Sequence, residues 1–231
     1  MARGQLPAYR GRYPLFLVDQ YRWPTKYRIL ILGQTDSGKT YLAKRLLDQQ
    51  YGRVPIVVYQ SKPVVRSLDK LDVARTDKLS QLTSMIKRAK EPFIIYHPDP
   101  VEAQLRETTE EFCRIMLYAK GPSISYIDEV SHFTGFSPIP AKMFAAYITQ
   151  GREMGKGIIM AGQEPAYLSR FIYAESQAIF RMYLHGGVNL KAIRDKLPTP
   201  ISLVPLPPDR HALVAWDIRD REHAYPFRRC L

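Results

Sequence analysis

The segment that most constrains the fold is GQTDSGKT, residues 33–40, which fits the pattern G-x-x-x-x-G-K-[ST]. An apolar stretch, RILILG (28–33), precedes it, and an amphipathic stretch (40–50) follows, so the predicted order is strand, loop, helix. Two glycines allow a tight backbone path that directs N–H groups at phosphate oxygens, and the helix start adds its positive dipole end. This context predicts a phosphate-binding loop rather than a chance match.

Individual roles follow from the chemistry of such a loop. Lys39 is predicted to contact the β- and γ-phosphates of ATP, and Thr40 to ligate Mg²⁺. Asp36 is unusual, because a carboxylate facing the phosphates would repel them; since Asp tolerates left-handed backbone angles, we expect its side chain to point into solvent. The residues predicted to bind the nucleotide are Gly33, Gln34, Thr35, Asp36, Ser37, Gly38, Lys39, Thr40 and Tyr41.

A second apolar stretch, SISYIDE (123–129), ends in two acids. Asp128 is predicted to hold Mg²⁺ through water, and Glu129 to orient or polarise the attacking water. Adjacent carboxylates at the end of a strand are common by chance. In a chain that also has a phosphate-binding loop, they predict that the bound nucleotide is hydrolysed.

The third motif is QGREMGKGIIMAGQEP, residues 150–165. Ligands bind at the carboxyl ends of parallel strands, so Gln163 is predicted to lie near the γ-phosphate as a sensor or to position water. Arg152 has two readings: an arginine finger that reaches a neighbouring subunit's nucleotide, or a cation that interacts with the dipole at a helix end. Arg170 and Arg181 are less favoured finger candidates.

Short apolar runs alternate with amphipathic stretches, which predicts an α/β fold with a mostly parallel central sheet flanked by helices. We expect a basic arm (1–26) and one domain (27–231), with a proline-rich loop (197–208), little regular structure between 184 and 211, and C-terminal strands within 211–227. The predicted strands are 28–33, 55–60, 92–97, 123–129, 157–163, 178–184 and 211–218, and the predicted helices are 40–50, 78–90, 101–120 and 140–155.

Charge and composition narrow the partners and the compartment. The 34 Lys and Arg exceed the 22 Asp and Glu, a net charge of +12 that favours a polyanionic partner, although a generally basic protein would show the same surplus. Cys113 and Cys230 lack zinc spacing and fit a reduced, intracellular setting. There is no apolar run of about 20 residues for a membrane span and no signal peptide, so we expect an intracellular protein that is not secreted.

Together the three motifs resemble those of the FtsK–HerA superfamily of P-loop ATPases, and most of all the genome-packaging ATPases of tailless viruses with an internal membrane. The likeness covers residues 27–185. It implies a RecA-like domain that assembles into a homo-oligomeric ring, hexameric or pentameric, and pumps double-stranded DNA. It also implies capsid-vertex or virion membrane proteins as further partners and a location in the host cytoplasm or the virion. It also implies the roles given above for Lys39, Thr40, Asp128, Glu129, Gln163 and Arg152. The chain departs from the family at Asp36, where glycine is usual, and at YQSKP, where the family often has an acid.

A translocase grips the DNA backbone, so its contacts should be cationic and insensitive to sequence. The loop after the second strand offers Lys62, Arg66 and Lys70, and the loop after SISYIDE offers Lys142, with His132 and Phe133 nearer the site. Each of these residues has an ordinary solvated loop as its alternative, and His132 is better read as a local hydrogen bonder than as a catalytic base.

Three other functions remain as alternatives. A phage assembly or extrusion ATPase shares the fold but usually carries a membrane segment. A small P-loop kinase would not need Glu129 beside Asp128 and would show an arginine-rich lid. A module that binds nucleotide without turnover would lack Glu129, which is present.

Overall fold

In the computed structural model, nine strands of the described chain form one sheet in the order β3-β4-β2-β5-β6-β1-β7-β8-β9. The described residues are 23–62, 72–88, 90–134, 140–198, 201, 202, 204, 206 and 211–227. The strands are β1 (Arg28–Leu32), β2 (Ile56–Tyr59), β3 (Ala74–Thr76), β4 (Phe93–Tyr96), β5 (Ser123–Ile127), β6 (Lys156–Gly162), β7 (Ala178–Met182), β8 (Leu213–Asp217) and β9 (Asp220–Phe227). The helices are α1 (Lys39–Asp48), α2 (Leu79–Arg88), α3 (Arg106–Tyr118), α4 (Ser131–Thr134), α5 (Lys142–Thr149), α6 (Arg170–Glu175) and α7 (Gly187–Lys196), with 3-10 turns at Glu102–Gln104, Gln150–Arg152 and Pro165–Tyr167.

Strand pairing is parallel from β3 to β7 and antiparallel from β7 through β8 to β9. Every residue of β1, β2, β4, β5, β6, β7 and β8 is buried, as expected for strands that are covered on both faces. The carboxyl ends of β1, β5 and β6 lie side by side, where ligands bind in open parallel sheets. The predicted α/β fold with a mostly parallel sheet is confirmed.

Two apolar layers cover the sheet. Leu42 and Leu46 of α1 pack in one layer, against Ile29 and Ile31 of β1. The opposite layer contains an aromatic cluster in which the Tyr59 ring lies 4.9 Å from Phe112 and 4.8 Å from Phe133. Cys113 is buried in the same layer. Within the described residues, no helix is long and apolar enough to cross a membrane.

The predicted strands all exist. Six are shorter than predicted by one or two residues at one or both ends, and β6 has the predicted length but begins and ends one residue earlier. The predicted helix 101–120 is wrong in one respect: Leu105 is extended, with ψ 135°, and divides it into a 3-10 turn and α3. The predicted helix 140–155 begins at Lys142, and its α-helical part ends at Thr149, where a 3-10 turn follows.

Five helices and strands were absent from the sequence-based list or only loosely outlined: β3, α4, α6, α7 and β9. The expectation of little regular structure between 184 and 211 is wrong for residues 187–196, which form α7. Ala192 and Ile193 of this helix are buried. Half of the predicted proline-rich loop (197–208) lies outside the described residues.

Residues 23–26, the described end of the predicted basic arm, pack against the domain. Trp23 is buried with its ring 5.2 Å from Phe180, and its carbonyl accepts a hydrogen bond of 2.8 Å from Gln50. A Cβ atom at Gly157 would lie 1.7 Å from the carbonyl oxygen of Thr25, so only glycine allows this approach. The remainder of the arm lies outside the described residues, and its boundary with the domain stays a prediction.

Candidate active site

The phosphate-binding loop connects β1 to α1 and is anchored on both sides. The N–H of Gly33 donates to the carbonyl of Gly162 on β6 (3.1 Å), and that of Gln34 donates to Tyr183, just after β7 (2.9 Å). Gly38 precedes α1 in a left-handed conformation, φ 98°. A Cβ atom at Gly33 would lie 2.4 Å from the hydroxyl oxygen of Ser37. Both glycines of the motif are therefore required by the backbone path.

Asp36 has the conformation expected from its residue type. Its φ is 61°, and among the described non-glycine residues no other has a positive φ. Its side chain is exposed at the tip of the loop. The outward orientation of its carboxylate stays a prediction.

Lys39 folds back over its own loop. Its Nζ donates to the carbonyl of Gln34 at 2.7 Å, and the residue is 7% exposed. Burial lowers the pKa of Lys39 to about 8; the nearby Lys62 ammonium lowers it too, while Glu129 and Asp36 act in the opposite direction. An anion bound in the loop would place a negative charge beside this buried ammonium and so stabilise its protonated form.

Asp128 lies just beyond β5, buried, with its carboxylate fixed by the loop that follows β2. Its Oδ1 accepts from the backbone N–H (2.9 Å) and the hydroxyl (2.6 Å) of Ser61, and Oδ2 accepts from the N–H of Lys62 (3.4 Å). Burial raises the pKa of Asp128, and the hydrogen bonds from Ser61 oppose that shift.

The donor set suits Mg²⁺. The Thr40 hydroxyl and the Asp128 carboxylate are hard oxygen ligands, and Mg²⁺ commonly takes one or two protein oxygens together with water and substrate phosphates. No group of three or more His, Cys, Asp or Glu residues within the described part of the chain is arranged to hold a metal ion on protein ligands alone. The residues present therefore fit a magnesium ion that arrives with the nucleotide.

Both carboxylate oxygens of Glu129 are engaged. Oε1 accepts from the Ser131 hydroxyl at 2.9 Å, and Oε2 accepts from Nε2 of Gln163 at 2.8 Å. The Nζ of Lys62 lies 3.7 Å from the same Oε2.

Gln163 joins this carboxylate to the phosphate-binding loop. While its Nε2 donates to Glu129, its Oε1 accepts from the Thr35 hydroxyl at 2.7 Å. A continuous path of side chains therefore runs from the loop to the acid predicted to polarise water. The sequence predicted that Gln163 lies near the γ-phosphate, but it did not indicate the bonds to Thr35 and Glu129 or the roles of Ser61 and Ser131.

The other residues predicted near the site are placed differently. His132 is partly buried, and burial lowers its pKa. Phe133 lies in the aromatic cluster at 2% exposure, so it is a core residue and not part of a DNA-gripping surface. Lys142 is exposed at the start of α5, and Lys62 is directed at Glu129. Arg66 and Lys70 lie outside the described residues.

Arg152 lies at the edge of the sheet formed by the amino ends of the parallel strands, here called the amino edge. Lys39 lies at the opposite, carboxyl edge, where the parallel strands end. Arg152 is exposed, and it borders a polar cleft of about 380 Å³ together with Arg28, Glu153, Glu175 and Gln177. Because Arg28 begins β1 and the phosphate-binding loop follows the other end of that strand, Arg152 is not placed to contact the nucleotide of its own chain.

The two other candidates for the arginine finger, Arg181 and Arg170, differ in their exposure to solvent. Arg181 is buried and its Nη2 donates to the carbonyl of Val204, so its guanidinium is held within its own chain. Arg170 is exposed at the start of α6.

Two buried cations at this amino edge were not singled out from the sequence. Arg28 is 1% exposed, and burial lowers its pKa to about 10. Its guanidinium donates to the carbonyls of Ile148 (2.6 Å), Lys26 (2.6 Å), Lys156 (3.0 Å) and Tyr147 (3.4 Å). Two of these acceptors belong to the last turn of α5, so Arg28 holds the helix end that leads into Arg152.

Lys156 holds the end of α3 in the same way as Arg28 holds the end of α5. Its Nζ donates to the carbonyls of Ala119 (2.6 Å) and Gly121 (2.5 Å), just beyond the end of that helix, and burial lowers its pKa. A charged residue at the start of a buried strand is read from sequence as a surface residue, which is why neither cation was predicted.

Comparison with known proteins shows what the whole chain is similar to. No family model matches the chain. It is 32% identical over 163 residues to the DNA packaging ATPase P9 of Enterobacteria phage PRD1, a match that spans 70% of this chain and 65% of that protein, slightly less than two thirds of its length.

Solved structures with the same fold include a viral genome packaging NTPase and VirB4. The genome packaging NTPase B204 of Sulfolobus turreted icosahedral virus 2, in complex with ATP-gammaS, superposes with a TM-score of 0.75 at 15% identity, over 90% of this chain and all of that one. VirB4 of Thermoanaerobacter pseudethanolicus has a TM-score of 0.59 at 10% identity, over 87% of this chain and 88% of that one. The fold is that of a P-loop NTPase, and the predicted likeness to viral genome-packaging ATPases is confirmed.

Proposed function

We propose that this protein is an ATP-hydrolysing motor that moves double-stranded DNA and packages a viral genome into a capsid. The observation that carries the proposal is the hydrogen-bonded path from Thr35 through Gln163 to Glu129, beside Lys39 and Asp128. A loop that only holds nucleotide has no need of a carboxylate tied to it in this way. The likeness to the DNA packaging ATPase P9 and the net charge of +12 support DNA as the load.

The chemistry assigns one task to each group. Backbone N–H groups of the loop and the Lys39 ammonium bind the β- and γ-phosphates. Thr40 and Asp128 would hold Mg²⁺, which supplies positive charge against the phosphates. Water attacks the γ-phosphorus as Glu129 takes up its proton, and the bond to the β,γ-bridging oxygen breaks to give ADP and phosphate. Glu129 must first release one of its present partners, because both of its oxygens are occupied.

Assembly into a homo-oligomeric ring, hexameric or pentameric, is part of the proposal. Arg152 is exposed at the edge away from its own loop, which suits an arginine finger that completes the site of the next subunit. Lys62, Arg66, Lys70 and Lys142 are proposed DNA contacts, and capsid-vertex or virion membrane proteins are proposed partners in the host cytoplasm or the virion.

The test is phosphate release with and without duplex DNA. We expect stimulation by duplexes of unrelated sequence, and a fall in stimulation as salt rises, because backbone phosphates dominate such contacts. Transfer of the γ-phosphate to a small acceptor, without DNA stimulation, would show a kinase instead.

The finger is tested by mixing subunits. Rings that combine Arg152→Ala and Lys39→Ala chains contain some intact composite sites, so they should regain part of the activity that each variant lacks. Confirmed mixed rings without any regain would exclude Arg152 as the finger.

A further inference from the structure

The hydroxyl of Tyr126 is an exception among the buried tyrosines. Three others hold their hydroxyls in hydrogen bonds of 2.7–3.0 Å: Tyr59 with the carbonyl of Ala103, Tyr173 with the carbonyl of Pro165, and Tyr147 with the hydroxyl of Ser125. Tyr126 is 0% exposed, and within the described part of the chain its hydroxyl oxygen has no hydrogen-bond partner of normal geometry. An unpaired buried hydroxyl is costly, so it points to a bond that the side chain forms in another state of the protein.

The position of Tyr126 limits which group can form that bond. Tyr126 lies on β5, two residues before Asp128, and it packs in the same apolar layer as Leu42 of α1. Thr40 belongs to the first turn of that helix. Burial and the Asp128 carboxylate raise the pKa of Tyr126, whereas an interaction with the Thr40 side chain opposes the shift. The phenol of Tyr126 therefore faces Thr40, the predicted Mg²⁺ ligand of the phosphate-binding loop.

The two hydroxyl groups have complementary needs. The Tyr126 O–H is a donor that lacks an acceptor, and the Thr40 oxygen carries two lone pairs. One lone pair suffices for a magnesium ion, which leaves the other for Tyr126. A threonine on a helix divides its side chain between two χ1 rotamers, so the hydroxyl of Thr40 needs a partner that selects one of them.

We propose that Tyr126 is a positioning residue for the magnesium site: its hydroxyl donates to the Thr40 oxygen and so directs the remaining lone pair of Thr40 at Mg²⁺. Groups behind a metal ligand commonly orient it in this way. The proposal rests on the proposed function, because it concerns the magnesium ion that arrives with ATP. It adds a residue whose effect is confined to the metal-dependent part of nucleotide binding.

The experiment compares Tyr126→Phe with Tyr147→Phe. Both substitutions remove one buried phenolic oxygen, but the Tyr147 hydroxyl is bonded to Ser125 and lies apart from the phosphate-binding loop. Calorimetry measures the affinity for ATPγS, a slowly hydrolysed ATP analogue, with saturating Mg²⁺ and again with EDTA. We expect Tyr126→Phe to bind roughly fivefold more weakly with Mg²⁺, the scale of one hydrogen bond, and as tightly as the wild type with EDTA. Tyr147→Phe should match the wild type in both conditions.

Thermal unfolding without nucleotide separates the two tyrosines in the opposite sense. Tyr147→Phe should lower the melting temperature, because it leaves the Ser125 hydroxyl without its partner. Tyr126→Phe should not lower it, since the hydroxyl that is removed has no acceptor in the fold. A fall in melting temperature for Tyr126→Phe as large as that for Tyr147→Phe would overturn the proposal.

A double variant tests whether Tyr126 acts through Thr40. Thr40→Val keeps the shape of the side chain and removes its hydroxyl, so adding Tyr126→Phe to it should cause no further loss of affinity in the presence of Mg²⁺. A further loss of about fivefold would show that Tyr126 acts through another group and would overturn the proposal.

The remaining outcomes also decide the matter. Unchanged affinity of Tyr126→Phe with Mg²⁺ would exclude the positioning role, and an equal loss with Mg²⁺ and with EDTA would assign Tyr126 to the shape of the loop instead. In both cases the proposed motor function stands, because stimulation of the wild type by duplex DNA tests it separately. Conversely, a wild type that DNA does not stimulate would overturn the DNA load and leave the magnesium dependence of Tyr126→Phe intact.

Discussion

Positively charged side chains are buried at both the amino and the carboxyl edge of the sheet, but they differ in how many hydrogen bonds they donate. At the amino edge, Arg28 donates to four backbone carbonyls and Lys156 to two. At the carboxyl edge, the Lys39 ammonium donates to one carbonyl, that of Gln34. A buried cation held by several backbone carbonyls belongs to the fold, whereas one with a single such partner can still bind a ligand.

The pKa values follow this division. Burial is the largest cause at both sites, and it lowers the pKa of Arg28 to about 10 and that of Lys39 to about 8. The guanidinium is still fully charged at neutral pH. The Lys39 ammonium is much closer to losing its proton, and a bound triphosphate would restore the charged form.

Lys39→Ala gives the sharpest test of this contrast. We expect ATP turnover to fall about 10³-fold, the scale observed when one preorganised charge donor is removed from an active site. The melting temperature should not fall, because no other buried group depends on Lys39 for its hydrogen bond except the Gln34 carbonyl on the loop. Retained turnover would remove the proposed site, and Glu129→Gln serves as a control that should bind ATP without hydrolysing it.

Arg28→Met should show the opposite pattern. Removal of the guanidinium leaves several buried carbonyls without a donor, so we expect a loss of about 3 kcal/mol in the free energy of unfolding. Urea denaturation measures the loss, with the exposed Arg53→Met as the matched control. If Arg28→Met proved as stable as the control, the assignment of Arg28 to the fold would be wrong.

The pH dependence of stability sharpens the comparison further. A lysine whose folded pKa is lowered destabilises the fold fully below that pKa, and the penalty disappears as pH rises from about 8 towards the unfolded value of 10.5. Lys39→Met should therefore be more stable than the wild type by about 2–3 kcal/mol at pH 7 and about equal to it near pH 10.5. Equal stability at both pH values would contradict the assignment.

Asp36→Gly should have the smallest effect. The side chain is exposed and the backbone already has a left-handed φ of 61°, which glycine adopts without strain. We expect the affinity for ATP to change less than about threefold. Binding that strengthens by orders of magnitude would mean that the carboxylate faces the phosphates.

The carboxyl edge was largely predictable from sequence, and the amino edge was not. The loop and the Asp128–Glu129 pair are local patterns whose chemistry limits the choice of residue. The Thr35–Gln163–Glu129 path depends on β6 lying between β1 and β5, which only the folded sheet establishes. Arg28 and Lys156 are understood only once the helix ends that they hold are seen beside them. The helix α7 was missed because it adjoins a proline-rich segment and begins with glycine.

The two outer strands of the sheet, β3 and β9, affect how readily molecules of this protein aggregate at high concentration. An outer strand with free N–H and C=O groups invites pairing with another molecule, the first step of aggregation. Here one outer strand, β3, spans three residues, and the other, β9, contains Pro226, which has no N–H to offer. The short β3 is therefore a poor template for strand addition, and Pro226 removes one of the N–H groups that β9 could offer to a second molecule.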